Sequence, residues 1–122
     1  MLSADVHIKL WLEHDGFMLL GQGPVELLSR IADMGSLRKA AESMNMSYRA
    51  AWGRLKRAED ALGCPLVFAS GNRREGYQLT PEGMEMVRVY HEWYAKVRDC
   101  ALREAPDISV VLVCGAAGEK PA

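Results

Sequence analysis

The sequence predicts a mainly α-helical domain that carries two small β-hairpins. Three observations carry this expectation. Apolar residues recur at helical spacing in four blocks between about residues 24 and 103. Three of those blocks follow a residue suited to capping a helix start, namely Ser36, Ser47 and Thr80. Two other stretches, at the N-terminus and at about residues 65–80, place strand-forming residues on either side of turn signals.

Taken in order, "VHIKLWLE" alternates. Val6, Ile8, Leu10 and Leu12 share one face, with His7, Lys9 and Trp11 on the other, as a half-buried strand requires. "HDG" is a turn signal, and residues 17–20 form the returning strand. Pro24, after Gly23, suits the first position of a helix running to about Met34, with Leu27, Leu28, Ile31 and Met34 as its apolar stripe. Gly35 suits its C-terminal end.

Ser36 then caps a short helix in which Leu37, Ala40, Ala41 and Met44 form one narrow buried stripe. Its alanines let a second helix approach closely. Asn45 and Met46 break the pattern, and Ser47 caps a longer helix to about Leu62. Gly63 ends that helix, with Pro65 shortly after. "PLVFAS" and "GYQLT" flank "GNRRE", a hairpin with Arg73 and Arg74 at its tip. Thr80 and Pro81 open a last helix to about Arg103, roughly 33 Å at 1.5 Å per residue. It bears two apolar stripes: Val87, Tyr90, Tyr94, Val97 and Ala101, and Met86, Val89, Trp93 and Cys100. One partner can be its own domain and the other a second subunit. Tyr90, Trp93, Tyr94 and Val97 are the expected dimer contacts. "DISVVLV" suggests a small strand, and the chain divides into one domain, 1–105, and a short, partly disordered tail, 106–122.

The totals exclude several classes. The 122 residues, 49% hydrophobic and 25% charged, suit a single ordinary globular domain. The longest apolar run is too short to span a bilayer, and no secretory leader is evident, so a cytoplasmic location is expected. Cys64, Cys100 and Cys114 are far apart and lack metal-binding spacing, which predicts free thiols and no metal. His7, His14 and His91 are scattered, no activated nucleophile is evident, and there is no phosphate-cradling GxxxxGK. Neither an enzyme nor a cofactor is expected.

Charge is unevenly placed. From Gly35 to Arg57 the chain carries +5, while the remainder carries −6. Such asymmetry suits a polyanionic partner as well as a solvated helix face. Two capped helices joined by about three residues form a helix-turn-helix pattern, and the hairpin after them makes it winged. In such an arrangement the second helix, here 47–62, enters the DNA major groove with its first turn nearest the bases, and the hairpin at 65–80 meets the backbone or minor groove.

On that second helix Ala51, Leu55, Ala58 and Leu62 fall on the buried side, with Arg49, Gly53, Lys56 and Asp60 opposite. Arg49 is the base-reading candidate, because arginine pairs bidentately with guanine. Lys56 and Arg57 suit phosphates. Ser36 and Ser47 cap helices whose free N–H groups also suit phosphate. Tyr48 suits either a DNA contact or packing on the preceding helix, and Trp52 has a flank position suited to the core. Gly53 fits close approach to a sugar–phosphate edge or simple tolerance at an exposed site. Arg73 and Arg74 are groove or backbone candidates.

The stretch "GSLRKAAESMNMSYRAAWGRLKRAE", with "PLV" and "LTPEG" downstream, resembles the N-terminal DNA-binding domain of ModE-type molybdate-responsive regulators. More loosely it resembles the winged-helix head of LysR-type regulators. The likeness covers about two-thirds of the chain, and "MSYRAAW" is its most specific part. It implies a homodimer paired through the long helix on a palindromic operator, with Ser47, Tyr48, Arg49 and Lys56 in the recognition element and Arg73 and Arg74 in the wing. Two departures stand out: "ASGNRREGYQ" replaces a longer, glycine-rich wing, and the residues after the long helix are too few for an oxyanion-sensing domain. Molybdate binding is therefore not expected, and no small-molecule effector is identified. The alternative is a winged-helix module for protein–protein assembly.

Overall fold

The computed structural model describes residues 5–70 and 76–108. Its elements are β1 (Trp11–His14), β2 (Phe17–Gly21), α1 (Gln22–Met34), α2 (Leu37–Ser43), α3 (Tyr48–Leu62), β3 (Val67–Ala69), β4 (Tyr77–Leu79) and α4 (Pro81–Glu104). β1 and β2 pair antiparallel, as do β3 and β4, in two separate two-stranded sheets. The suggested strand beyond Ile108 and the wing-tip residues Arg73 and Arg74 lie outside the described residues.

The first hairpin closes through Asp15 (φ 51°) and Gly16 (φ 80°), both left-handed, the turn whose twist matches paired strands. Pairing begins only at Trp11, opposite Gly21, and slips at a bulge between Leu12 and Glu13. Residues 5–10 keep the expected alternation, with Val6, Ile8 and Leu10 half-buried, but join no strand. Pleated backbone alternates its side chains whether or not a neighbour pairs with it. Leu12 is 47% exposed, contrary to expectation, because the groove it lines with Leu19, Leu62 and Leu66 stays open.

α1 starts at Gln22, capped by the extended backbone of Gly21, two residues before the expected start at Pro24. Proline fits because first-turn N–H groups have no partner within the helix anyway. Val25, Leu27, Leu28 and Ile31 bury, whereas Met34 in the last turn is exposed. Left-handed Gly35 and Gly63 end α1 and α3, each returning its N–H to a carbonyl of the last turn.

The core forms where α1, α2 and α3 meet. Leu27, Leu28, Ile31, Leu37, Ala40, Ala41, Ala51 and Leu55 are all essentially inaccessible. Burying each of the larger aliphatics contributes about 1.5–3 kcal/mol, and the alanines set the close α2–α3 approach. Leu62, expected on this face, is 37% exposed, because the inward stripe of α3 runs out of neighbours in its last turn. Glu59 is buried there instead. Its Oε2 accepts from the Leu66 N–H at 2.7 Å and Oε1 lies 3.2 Å from Lys56 Nζ. A carboxylate thus replaces an apolar side chain at the point where the chain leaves α3 for β3.

α4 is seated by its first turns. Thr80 Oγ1 accepts from the Gly83 N–H at 3.0 Å and donates to the Pro65 carbonyl at 2.8 Å. Gly83 is required by space, since a Cβ there would lie 2.2 Å from the Leu66 carbonyl oxygen. Met86 and Tyr90 then bury in the core, and the Tyr90 hydroxyl donates to the Leu10 carbonyl at 3.0 Å. Burial, with a smaller contribution from neighbouring Tyr94, pushes the Tyr90 phenol above its ordinary pKa. Tyr90 therefore belongs to the protomer core and not to the expected dimer face. The reason is that the N-terminal strand-like stretch supplies its partner. Trp93, Tyr94 and Val97 remain half-buried further along.

Candidate nucleic-acid interface

Two helix starts define one surface. Ser36 Oγ accepts from the Lys39 N–H at 3.1 Å, and Ser47 Oγ accepts from the Ala50 N–H at 3.0 Å, so both serines cap as expected. Between α2 and α3, Asn45 (φ 55°) makes the break, and Met44 and Met46 pack partly against the core. This tight turn leads directly into the capped first turn of α3.

On α3, Arg49 is exposed and makes no hydrogen bond or ion pair among the described residues. Arg57 is also exposed and unpaired. Lys56 is differently placed. Its ammonium lies 3.2 Å from Glu59 Oε1 and 4.5 Å from the Trp52 ring centroid, so its charge is already partly engaged. Tyr48 is half-buried, with the Arg38 guanidinium 5.1 Å from its ring centroid, which is packing on the preceding helix. Trp52 is half-buried against the core, as its flank position implies, and its ring lies 6.4 Å from that of Tyr77 on β4. That contact couples the recognition-type helix to the second hairpin.

Gly53 has no intramolecular justification in the packing. A Cβ there would meet only the tip of Arg57, at 3.4 Å. Glycine in a helix interior costs about 1 kcal/mol relative to alanine, so its place on the outward face is unexplained by the fold itself.

The second hairpin is joined to the helix-turn-helix by main chain. The Tyr77 N–H donates to the Gly35 carbonyl at 3.1 Å, and Ser36 bridges Gly76. Arg38, Lys39, Arg49, Lys56 and Arg57 are the exposed cations of this face. Arg88, by contrast, sits on α4 between Glu85 and Glu92. Those carboxylates raise its pKa further, while Arg88 holds Glu85 below the usual carboxylate range. Among the described residues no group of His, Cys, Asp or Glu could hold a metal ion, and no helix is long and apolar enough to cross a membrane.

Two capped helices in tandem, followed by a hairpin and a long helix, define a winged helix-turn-helix protein. Residues 24–84 match the model of the bacterial regulatory helix-turn-helix proteins of the lysR family, and the chain belongs to that family. The match begins after the first hairpin. The molybdenum-pterin-binding protein MopB of Rhodobacter capsulatus is 34% identical over 73 residues, 58% of this chain and 27% of that protein. The molybdenum transport protein ModE of Azotobacter vinelandii is 32% identical over 92 residues, 74% of this chain and 34% of that protein. The chain thus spans about a third or less of the length of these relatives. Among solved structures, ArgP from Mycobacterium tuberculosis superposes with a TM-score of 0.51 at 27% identity, over 68% of this chain and 30% of that one. A complex of the BenM_DBD with benA site 1 DNA gives 0.51 at 16% identity, over 66% and 90%, a likeness of fold.

Two features of the interface are not evident from the helix-turn-helix pattern alone. The Lys56–Glu59 pair could have been suspected from its i,i+3 spacing. Arg54 is half-buried beside Gly23 of α1, where a Cβ would meet its Nη1 at 3.2 Å. That placement has no signal in the sequence, because it depends on where α1 and the first hairpin sit.

Proposed function

We propose that this chain binds double-stranded DNA sequence-specifically as a dimeric transcriptional regulator. The observation that carries the reading is the first turn of α3: it is capped, follows a tight turn, and presents Arg49 exposed with no hydrogen bond or ion pair among the described residues. In this reading α3 lies in the major groove with Arg49 at a base edge, worth about 1–3 kcal/mol of discrimination. Arg57 and, more weakly, Lys56 meet phosphates. The N–H groups behind Ser36 and Ser47 add phosphate contacts, and Tyr48 acts mainly by shaping the turn. Gly53 lets a sugar–phosphate edge approach the helix. Arg73 and Arg74 of the wing contact the backbone or minor groove. The dimer forms along the distal part of α4 through Trp93, Tyr94 and Val97, and the protein works in the cytoplasm without enzymatic activity.

Selection of bound sequences from a random duplex pool tests this. A palindrome with half-sites about one helical turn apart is expected. Equal, weak affinity for all duplexes would overturn the reading and favour a protein-assembly role. Gly53→Ala separates the two accounts of that glycine. It should stabilise the fold by up to about 1 kcal/mol in a thermal melt while weakening DNA binding. Unchanged DNA affinity would leave Gly53 as mere tolerance.

A further inference from the structure

The first hairpin does not lie flat on α3. Between them, with the start of α1 as a floor, runs a cleft of about 820 Å³, within the range of small-molecule sites. Its walls are largely apolar, from Phe17, Met18, Leu19, Pro24, Ala58 and Ala61. Two cations enter it, Arg54 and Arg57, one helical turn apart on α3. Neither makes a hydrogen bond or ion pair among the described residues, and Arg54 is half-buried. A half-buried arginine with no partner among the described residues keeps the five donors of its fixed fork available.

The acids of the cleft decide the charge of an occupant. Asp60 is exposed and carries no ion pair among the described residues. Asp15, at the hairpin tip, is 83% exposed and lies 3.3 Å from His14 Nε2, so water screens most of its field. Arg57, Asp15 and Asp60 are all exposed to water, whereas Arg54 is half-buried and so the least screened of the four charges; the cleft therefore favours a single negative charge on its occupant. The apolar walls require a body as well as a charge.

We infer that this cleft binds a small monocarboxylate with a compact apolar body, its carboxylate paired with Arg54 and Arg57 and its body between Phe17, Met18 and Ala58. Arginine is suited to this, because its planar fork grips a carboxylate bidentately. The inference does not rest on the DNA reading, but the two sites share Arg57.

The test is an amide NMR titration of the full chain with sodium benzoate, with benzyl alcohol and inorganic phosphate as separate probes. Benzoate should give saturable shifts at Phe17, Met18, Gly23, Arg54 and Ala58. Benzyl alcohol lacks the charge and phosphate lacks the apolar body, so each should bind about tenfold more weakly or worse. Arg54→Gln should cost about tenfold in benzoate affinity, and Phe17→Ser should weaken it as well, with circular dichroism verifying that both variants fold. The inference is overturned by any of three results: no saturable shift up to roughly 20 mM benzoate, phosphate binding as well as benzoate, or unchanged benzoate affinity in both variants.

Discussion

The two hairpins are built alike and held differently. β3–β4 has strands of only three residues, yet its own main-chain groups bond it to α3 and to the end of α1. The Leu66 N–H donates to the Glu59 carboxylate and the Leu66 carbonyl accepts from the Thr80 N–H, while the Tyr77 N–H donates to the Gly35 carbonyl. β1–β2 has longer strands and a well-formed turn, but it meets α3 through side chains, with Trp11, Leu12, Phe17 and Met18 all at least 44% exposed. Main-chain bonds fix a position and an orientation; apolar contact fixes a distance and tolerates sliding. The wing is therefore set rigidly against the recognition-type helix. The first hairpin keeps a seam open, and the cleft occupies that seam.

The sharpest way to break this contrast is to unseat the wing at Leu66. Gly83→Ala drives a methyl into the Leu66 carbonyl, so a loss of about 3 kcal/mol or more is expected in urea unfolding. Glu59→Leu removes the acceptor for the buried Leu66 N–H and should cost about 2 kcal/mol. In both variants, protection of the Tyr77 amide from hydrogen exchange should fall, because β4 depends on the same seat.

Smaller effects belong to the N-terminal side. Tyr90→Phe removes the hydrogen bond to Leu10 and should cost about 1 kcal/mol at neutral pH. Tyr90 also predicts an alkaline limit. Its phenol is raised in the folded state, so its contribution is complete below the ordinary phenol value of about 10 and is lost as pH rises through the folded value. Thermal melts should fall more steeply above pH 10 in the native chain than in Tyr90→Phe. Smallest of all, Phe17→Ser should change stability by less than about 0.5 kcal/mol, because Phe17 is 68% exposed. A large loss there would mean that the first hairpin is structural after all.

The same contrast explains what the sequence discloses. Ser36, Ser47, Thr80, Gly35 and Gly63 are legible because a cap is local chemistry between residues a few positions apart. The helix-turn-helix follows from them. Leu12, Met34 and Leu62 show the limit. Periodicity names the face of an element but not whether another element reaches it, and all three are exposed where their stripes outrun their neighbours. Tyr90 shows the reverse, since a residue on an apparent outer stripe is claimed by a segment 80 positions away. Of the candidate interface, the outward placement of Arg49 was legible. The i,i+3 and i,i+4 spacings of Glu59 and Trp52 from Lys56 allow its engagement within one helix, whereas the gathering of Arg54 with the hairpin required the tertiary structure.

The Lys56–Glu59 pair has one consequence for how such a surface would respond to ions. A free cation that docks on phosphate frees a condensed counterion from the duplex, and each such event steepens the salt dependence of binding by about 0.9 on a log–log scale. Lys56 already carries a carboxylate of its own protein at 3.2 Å. Its approach to DNA exchanges one anion for another, and Glu59 stays behind, opposing the phosphate. The slope should therefore be shallower than a count of exposed cations implies, which would make binding at this surface less sensitive to changes in ionic strength.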